Sequence, residues 1–335
     1  MIANGIPHRD SLEQISELLQ KSEDILILEH EKPDGDSIGS GLALALALSS
    51  LGKKALLLSQ DPHPAVYDFL PGRQLYATVS DVDPEDIRPD VTVFLDCAGP
   101  ERAGKALDYA RSDAWVNIDH HVSNPGFGDV SLVDPDAAAT GELVFFLLKV
   151  MGVAFDTDVA TCLYAALVTD TGGFRYQNTS PRCLQVAAEL LSRGVNPSEV
   201  ADQLYEAKSF ASLMLLKNAL HTLTLHGNGR LATIEVTRAM LEDSGASLED
   251  ADSIVDYPRS IAGVEVALCF KENLDREAVN ISLRSRSKVD VSQIAAMLGG
   301  GGHPRAAGAV VEGTLEQAKA RVFEVLAGLE LWTDS

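Results

Sequence analysis

The stretch Ile25-Leu26-Ile27-Leu28-Glu29-His30-Glu31-Lys32-Pro33-Asp34-Gly35-Asp36-Ser37 decides how this chain is read. Four consecutive apolar residues, with no polar alternation, read as a strand of a parallel sheet buried on both faces. A turn follows it that carries a histidine and two carboxylates. The arrangement recurs downstream. Asp96 closes Val91-Thr92-Val93-Phe94-Leu95, and Asp119-His120-His121 closes Trp115-Val116-Asn117-Ile118. A further acid, Asp170, ends the apolar stretch Leu163-Tyr164-Ala165-Ala166-Leu167-Val168 inside a segment, 157–170, that reads as helical. In an open α/β sheet ligands bind beyond the carboxyl ends of the strands. Side chains far apart in sequence therefore converge on one rim. Several carboxylates and imidazoles brought together there could not share a small volume without cations.

The chemistry points to two divalent metals. Asp34 and Asp36 are two apart, so in an extended loop they face one side and each serves a different ion. Asp96 is the natural bridge between ions roughly 3.5–4 Å apart, as in two-metal hydrolases. Mixed oxygen and imidazole donors suit Mn²⁺ better than Mg²⁺ or Ca²⁺, which favour all-oxygen shells.

The series His30-x-x-x-Asp34-x-Asp36, Asp96, Asp119-His120-His121 and Asp170 resembles the DHH phosphoesterases. Gly299-Gly300-Gly301-Gly302-His303-Pro304-Arg305-Ala306-Ala307-Gly308 resembles the signature of the DHH-associated C-terminal domain. Within the family the likeness is greatest to the branch that degrades very short oligoribonucleotides and dephosphorylates 3′-phosphoadenosine 5′-phosphate (pAp). That resemblance implies a first metal on His30, Asp34 and Asp96, and a second on Asp36, Asp96, His120 and Asp170. It implies that Asp119 orients a ligand, and that His121 faces the substrate phosphate. It also implies a glycine–histidine loop and an arginine segment that grip the far phosphate or base across the interdomain cleft. A homodimer is compatible with it.

Composition narrows the partners. With 27 basic against 49 acidic residues the net charge is −22. Long nucleic acid binds through neutralised phosphates and would be repelled by this surface. Short RNA oligonucleotides and nucleotide phosphates, held in a locally basic pocket, are the expected substrates. No segment has the length of a membrane span, and the N-terminus lacks the pattern of a signal peptide. Cys97, Cys162, Cys183 and Cys269 sit in apolar surroundings without paired spacing, which suits buried thiols in the cytoplasm.

Strands alternating with helical stretches predict a parallel-sheet α/β domain over residues 1–195. These include a helix from about Ser37 to Leu51, a strand over Lys53–Ser59 and a helix over Glu101–Ser112. A helical connector, 196–225, leads to a smaller α+β domain, 226–330. There Leu231–Val236, Val264–Phe270 and Ala278–Leu283 read as strands, and Arg238–Asp243, Val291–Leu298 and Leu315–Leu326 as helices. Four successive glycines are costly to order, so their use must be close approach, with bare N–H groups around a phosphate. The substrate-binding candidates are Gly301, Gly302, His303, Arg305, Arg284 and Arg286. The two last, on a strand, would share a face and suit a phosphate.

Blander readings compete. A lone aspartate after a strand is ordinarily a cap or turn former, and Asp170 could cap Thr171-Gly172-Gly173. Asp134 and Asp136 read as a loop entering a helix, and Arg175 as an ion pair or a substrate contact. The spaced combination, with Asp96, Asp119 and His121 as the catalytic set, favours a metal-dependent phosphohydrolase over them. Cyclic or linear dinucleotide phosphodiesterases share both motifs. Single-strand exonucleases of the family need a more basic channel, and family II pyrophosphatases lack the glycine–histidine tail. A nucleotide sensor that has lost catalysis is the alternative of a different class.

Overall fold

The computed structural model describes residues 6–154, 156–206, 208–286 and 289–327, the side chain of His303 excepted. The chain divides into two units, Met1–Ala207 and Lys208–Ser335. In the first, six strands form one parallel sheet: β1 (Asp24–Leu28), β2 (Lys54–Ser59), β3 (Tyr76–Thr78), β4 (Val91–Leu95), β5 (Ala114–Asp119) and β6 (Val130–Val133). Their order is β3-β2-β1-β4-β5-β6 and every pairing is parallel. The chain reverses direction of growth between β1 and β4, so the carboxyl ends of those two strands flank a crevice.

Continuous apolar runs became strands because both sheet faces are covered. Ile25 and Ile27 point into one core, with Val91, Val93 and Leu95. Leu26, Leu28 and Phe94 point into another. The thicker layer consists of α1 (Arg9–Lys21), α2 (Gly35–Ser50), α3 (Thr140–Val150), α4 (Thr157–Asp170) and α5 (Pro181–Ser192), and α6 (Pro197–Ala201) follows. The thinner layer is built on Ala103, Ala106 and Tyr109. They lie in Pro100–Tyr109, which is a 3₁₀ segment broken at Gly104 (φ 55°), where an α-helix was expected. Strands β3 and β6 escape a sequence reading because they have three and four residues.

Helices α2 and α4 lie antiparallel and very close. A Cβ at Gly35 would come within 2.8 Å of three atoms of Thr169, and one at Gly39 within 2.5 Å of the Cys162 carbonyl. The missing side chains let the last residue of α4, Asp170, stand beside the first turn of α2.

The second unit begins with α7 (Phe210–Leu220), whose Leu215 and Ala219 belong to its core. The expected connector over 196–225 is therefore split: α6 belongs to the first unit and α7 to the second. The mixed sheet has strands β7 (Thr224–His226), β8 (Leu231–Val236), β9 (Val266–Glu272), β10 (Ala278–Ser285), β11 (Gly301–His303) and β12 (Ala306–Glu312), in the order β11-β12-β10-β9-β8-β7. Only β8 and β9 pair in parallel. Helices α10 (Val291–Met297) and α11 (Leu315–Ala327) pack on one face of this sheet. Helices α7, α8 (Arg238–Ser244) and α9 (Asp256–Ser260) serve the other. Residues 328–330 of the expected C-terminal domain lie outside the described set. No helix among the described residues is long and apolar enough to cross a membrane. All four cysteines are buried and unpaired.

Candidate metal centre

Three strand ends and two helix ends meet at the crevice. His30 follows β1, Asp96 follows β4, and Asp119 ends β5 with His120 and His121 after it; Asp170 ends α4. Asp34 is the N-cap of α2, and its carboxylate accepts from the amides of Asp36 (3.0 Å) and Ser37 (3.1 Å). The Asp34 amide in turn donates to Ser37 Oγ at 3.1 Å. The extended loop expected for Asp34 and Asp36 is thus a helix start, because Asp-x-x-Ser is a reciprocal cap.

The two imidazoles are presented alike. His30 Nδ1 lies 2.9 Å from the Glu31 carbonyl and His120 Nδ1 3.2 Å from the Ala137 carbonyl. Those acceptors place the proton on Nδ1 and leave Nε2 as the ligating atom. His30 Nε2 faces Asp34 Oδ1 at 3.8 Å and Asp96 Oδ2 at 3.5 Å. His120 Nε2 faces Asp36 Oδ2, Asp96 Oδ1 and Asp170 Oδ2 at 3.7, 3.6 and 3.7 Å. These gaps are wide for hydrogen bonds, yet they are right for donors sharing a cation with ligand distances of about 2.0–2.2 Å. His30, Asp34 and Asp96 form one such group and Asp36, His120 and Asp170 another, the donor atoms of each lying within 4.8 Å of one another. Asp96 gives one oxygen to each group. The donor set fits a pair of divalent cations.

The backbone holds these acids in place. Asp36 accepts from the amides of Thr140 (2.6 Å) and Gly141 (2.9 Å), and Thr140 Oγ1 donates to Asp96 Oδ1 at 3.1 Å. Asp96 itself adopts left-handed backbone, φ 57°, which short polar side chains tolerate best. Burial and the charge on Asp96 push Asp36 well above the ordinary carboxylate range. Burial, with the nearby Asp34 and Asp96, outweighs His120 and pushes Asp170 up to about 7. Burial would keep His120 neutral, but the carboxylates of Asp170, Asp96 and Asp36 hold it well above the usual imidazole range. The uncompensated acids are thus partly neutralised by protons, which a cation would displace.

Asp119 does not join either group. Its Oδ1 accepts from His121 Nδ1 at 2.6 Å and from the His120 amide at 2.8 Å, and its Oδ2 accepts from Asn124 at 2.6 Å. Burial alone would raise its pKa; the hydrogen bonds from His121 and Asn124 hold it below the ordinary range, hence ionised. The bond commits His121 Nδ1 to Asp119, so contact with a substrate falls to Nε2. Asp96, His120 and His121 also offer donors close enough to hold an ion.

Asn124 escaped the sequence reading, as did Thr140 and Asn178, because an amide or hydroxyl carries no spacing signal. Asn124 is buried and its amide also approaches Asn117 Oδ1 (2.9 Å) and the Cys97 carbonyl (3.0 Å). Asn124→Ala should cost about 1–3 kcal/mol of stability, read in a thermal melt. It should also lower turnover by about 10–100-fold, the usual effect of removing an outer partner. Wild-type values for both would remove Asn124 from the site.

In the second unit Arg284 sits on β10 opposite Ala306, which pairs in turn with His303 on β11. Arg284 and His303 thus occupy one row, two strands apart; the side chain of His303 lies outside the described residues. Arg284 is half-buried, donating to the Leu283 carbonyl at 3.1 Å, while Arg305 is exposed in the turn before β12. Arg286, one residue beyond the end of β10 at Ser285, is exposed, and its amide donates to the Glu265 carbonyl. The glycines divide. A Cβ at Gly300 would meet the Gly308 carbonyl at 2.1 Å, and one at Gly302 the Ala306 carbonyl at 2.6 Å. Close approach is real at both, but to strand β12. Gly301 opens onto clear space.

Both units have counterparts among known proteins. Residues 24–167 match the DHH family, N-terminal domain, and residues 229–328 match the DHHA1 domain. The chain is 40% identical over 322 residues to the bifunctional oligoribonuclease and PAP phosphatase NrnA of Thermus thermophilus, covering 95% of this chain and 94% of that one. It is 29% identical to the protein of the same name from Bacillus subtilis, over 86% and 89% of the two chains. Among solved structures, an exopolyphosphatase-related protein from Bacteroides fragilis superposes with TM-score 0.89 at 27% identity, over 96% of each chain.

Proposed function

The chain belongs to the DHH family, with a DHHA1 domain following, and from that premise we propose that it is a phosphohydrolase of very short oligoribonucleotides and of pAp. The observation that carries this reading is Asp96, whose two oxygens serve two separate donor groups. His30, Asp34 and Asp96 would hold one divalent cation, and Asp36, Asp96, His120 and Asp170 the other. Mn²⁺ suits the mixed oxygen and nitrogen donors. Such a cation pair, when bound, supplies an acidified water and neutralises phosphate charge.

The protein's own residues do the rest. Ionised Asp119 accepts the Nδ1 proton of His121 and so aims Nε2 toward the substrate phosphate. The same carboxylate stabilises the imidazolium, the form in which Nε2 also carries a proton to give to a phosphate oxygen or to the leaving oxygen. Arg284, Arg305, His303 and the open Gly301 bind the far phosphate or base of the substrate. The charge of −22 supports small substrates. Buried, unpaired cysteines suit a reducing compartment, and we place the enzyme in the cytoplasm.

The test is a panel of pAp, a diribonucleotide, a pentamer, a 24-mer and cyclic di-AMP, each with Mn²⁺ or Mg²⁺ and with products resolved by chromatography. We expect pAp and the diribonucleotide to be consumed fastest, and faster with Mn²⁺. Preference for the 24-mer would contradict the charge argument. Preference for cyclic di-AMP would reassign the substrate within the family. No hydrolysis with either metal would favour a binding protein.

A further inference from the structure

The loop Asp134-Pro135-Asp136-Ala137-Ala138-Ala139-Thr140-Gly141 supplies no cation donor of its own, yet all four donors of the second group rest on it. His120 is fixed by the Ala137 carbonyl, and Asp36 by the amides of Thr140 and Gly141. Asp96 is held by the Thr140 hydroxyl. The fourth, Asp170, is reached through Asn178, whose amide donates to the Ala138 carbonyl at 2.9 Å and approaches Asp170 Oδ2 at 3.2 Å. Outside Asp96, the first group is held from elsewhere: His30 rests on Glu31, and Asp34 caps its own helix.

What sets the loop is a charged clamp from α3 and α5. Glu142, fully buried on α3, accepts from the Ala138 amide at 2.9 Å and from Arg182 Nε. Arg182, on α5, also donates through Nη2 to Asp134 Oδ2 at 2.8 Å. Asp134 Oδ1 in turn accepts from the Asp136 amide at 3.0 Å, and His8 Nε2 stands 3.2 Å from Asp134 Oδ2. One guanidinium thus ties the beginning of the loop to the helix after it. Buried ion pairs are poor investments in stability, since well-packed apolar side chains usually serve as well. A planar fork, by contrast, fixes two carboxylates in direction as well as distance.

We propose that Arg182 is a positioning residue for the second cation: by bridging Glu142 and Asp134 it sets the 134–141 loop, and through that loop aims Asp36, His120 and Asp170. The inference rests on the two-cation reading given above, and it concerns residues that touch neither cation nor substrate.

The experiment is a calorimetric titration of chelator-dialysed protein with Mn²⁺, without substrate, beside activity on pAp as a function of Mn²⁺ concentration. Arg182→Gln should weaken the second binding event by an order of 10–100-fold and leave the first near wild type. The Mn²⁺ concentration for half-maximal activity should rise to match, kcat at saturating Mn²⁺ should recover most of its value, and Arg182→Lys should restore part of the loss. Equal weakening of both events, or none, overturns the proposal. If Arg182→Gln does not fold, Asp134→Asn carries the test, because it removes only the outer arm of the clamp. It should weaken the second event by a smaller factor, and wild-type titration by a folded Asp134→Asn protein overturns the proposal. A wild-type protein that binds fewer than two ions sinks the two-cation reading and this inference together. A wild-type protein that binds two ions but hydrolyses nothing sinks only the hydrolase reading, and the titration still decides the role of Arg182.

Discussion

Asp96→Asn should reduce kcat on pAp by at least about a thousandfold, since in the proposed centre the residue would offer an oxygen to each cation and charge stabilisation at phosphorus is the main catalytic term. Asparagine is the informative replacement. At φ 57° an alanine would strain the backbone by roughly 1–2 kcal/mol, and lost activity could then be blamed on a damaged crevice, whereas asparagine accepts this conformation. A second readout has the opposite sign. In chelator-treated protein Asp96 is one of the charges that drive up the pKa of Asp36 and Asp170. Neutralising it relieves that repulsion, so the metal-free variant should melt at a higher temperature than metal-free wild type. With Mn²⁺ present the order should reverse. Melting curves with and without chelator, beside steady-state rates, check both claims. An Asp96→Asn enzyme with wild-type kcat would dismantle the assignment.

The metal-free protein should lose stability as pH rises from about 5 to 8, and added Mn²⁺ should restore more of it at the upper end. Asp170 has a folded-state pKa of about 7, and that of Asp36 is also raised, so between the ordinary carboxylate range and those values the folded chain binds more protons than the unfolded one. Stability then falls with increasing pH. His120 works in the same direction, its raised pKa giving stability that is complete below the usual imidazole range and is lost as pH climbs through the folded value. Metal binding must expel these protons, so its affinity rises over the same interval. The check is melting temperature from pH 5.5 to 8.5 with chelator and with Mn²⁺. A metal-induced increase that shrinks with pH would show that these acids and His120 are not the ligands.

Much of this architecture could be read from residues. The strands β1, β4 and β5 were legible because burial on both faces demands unbroken apolar runs, and the grouping of candidate cation donors because acids and histidines punctuate those runs. Short strands were not: β3 and β6 owe their existence to neighbours in the sheet, and β11 opens on two glycines that no propensity would choose for a strand. The close approach at Gly300 and Gly302 was legible, but a sequence does not say what approaches, and at both it is the backbone of β12. The clamp of Asp134, Glu142 and Arg182 was illegible for a similar reason. Each looks like an ordinary helix-end charge, and only the packing of α5 on α3 gives it a purpose.

The near-contact of α2 and α4 has a consequence for ion choice. Asp170 is delivered by a helix that reaches the centre over Gly35 and Gly39, whereas Asp96 and His120 come from the sheet. The bore of the proposed cage is therefore gauged by an interhelical gap into which only α4 sends side chains, Thr169 at Gly35 and Ala166 at Gly39, and not by the ligand list. Two chains with identical donors could favour cations of different radius if one carried a methyl group at either glycine.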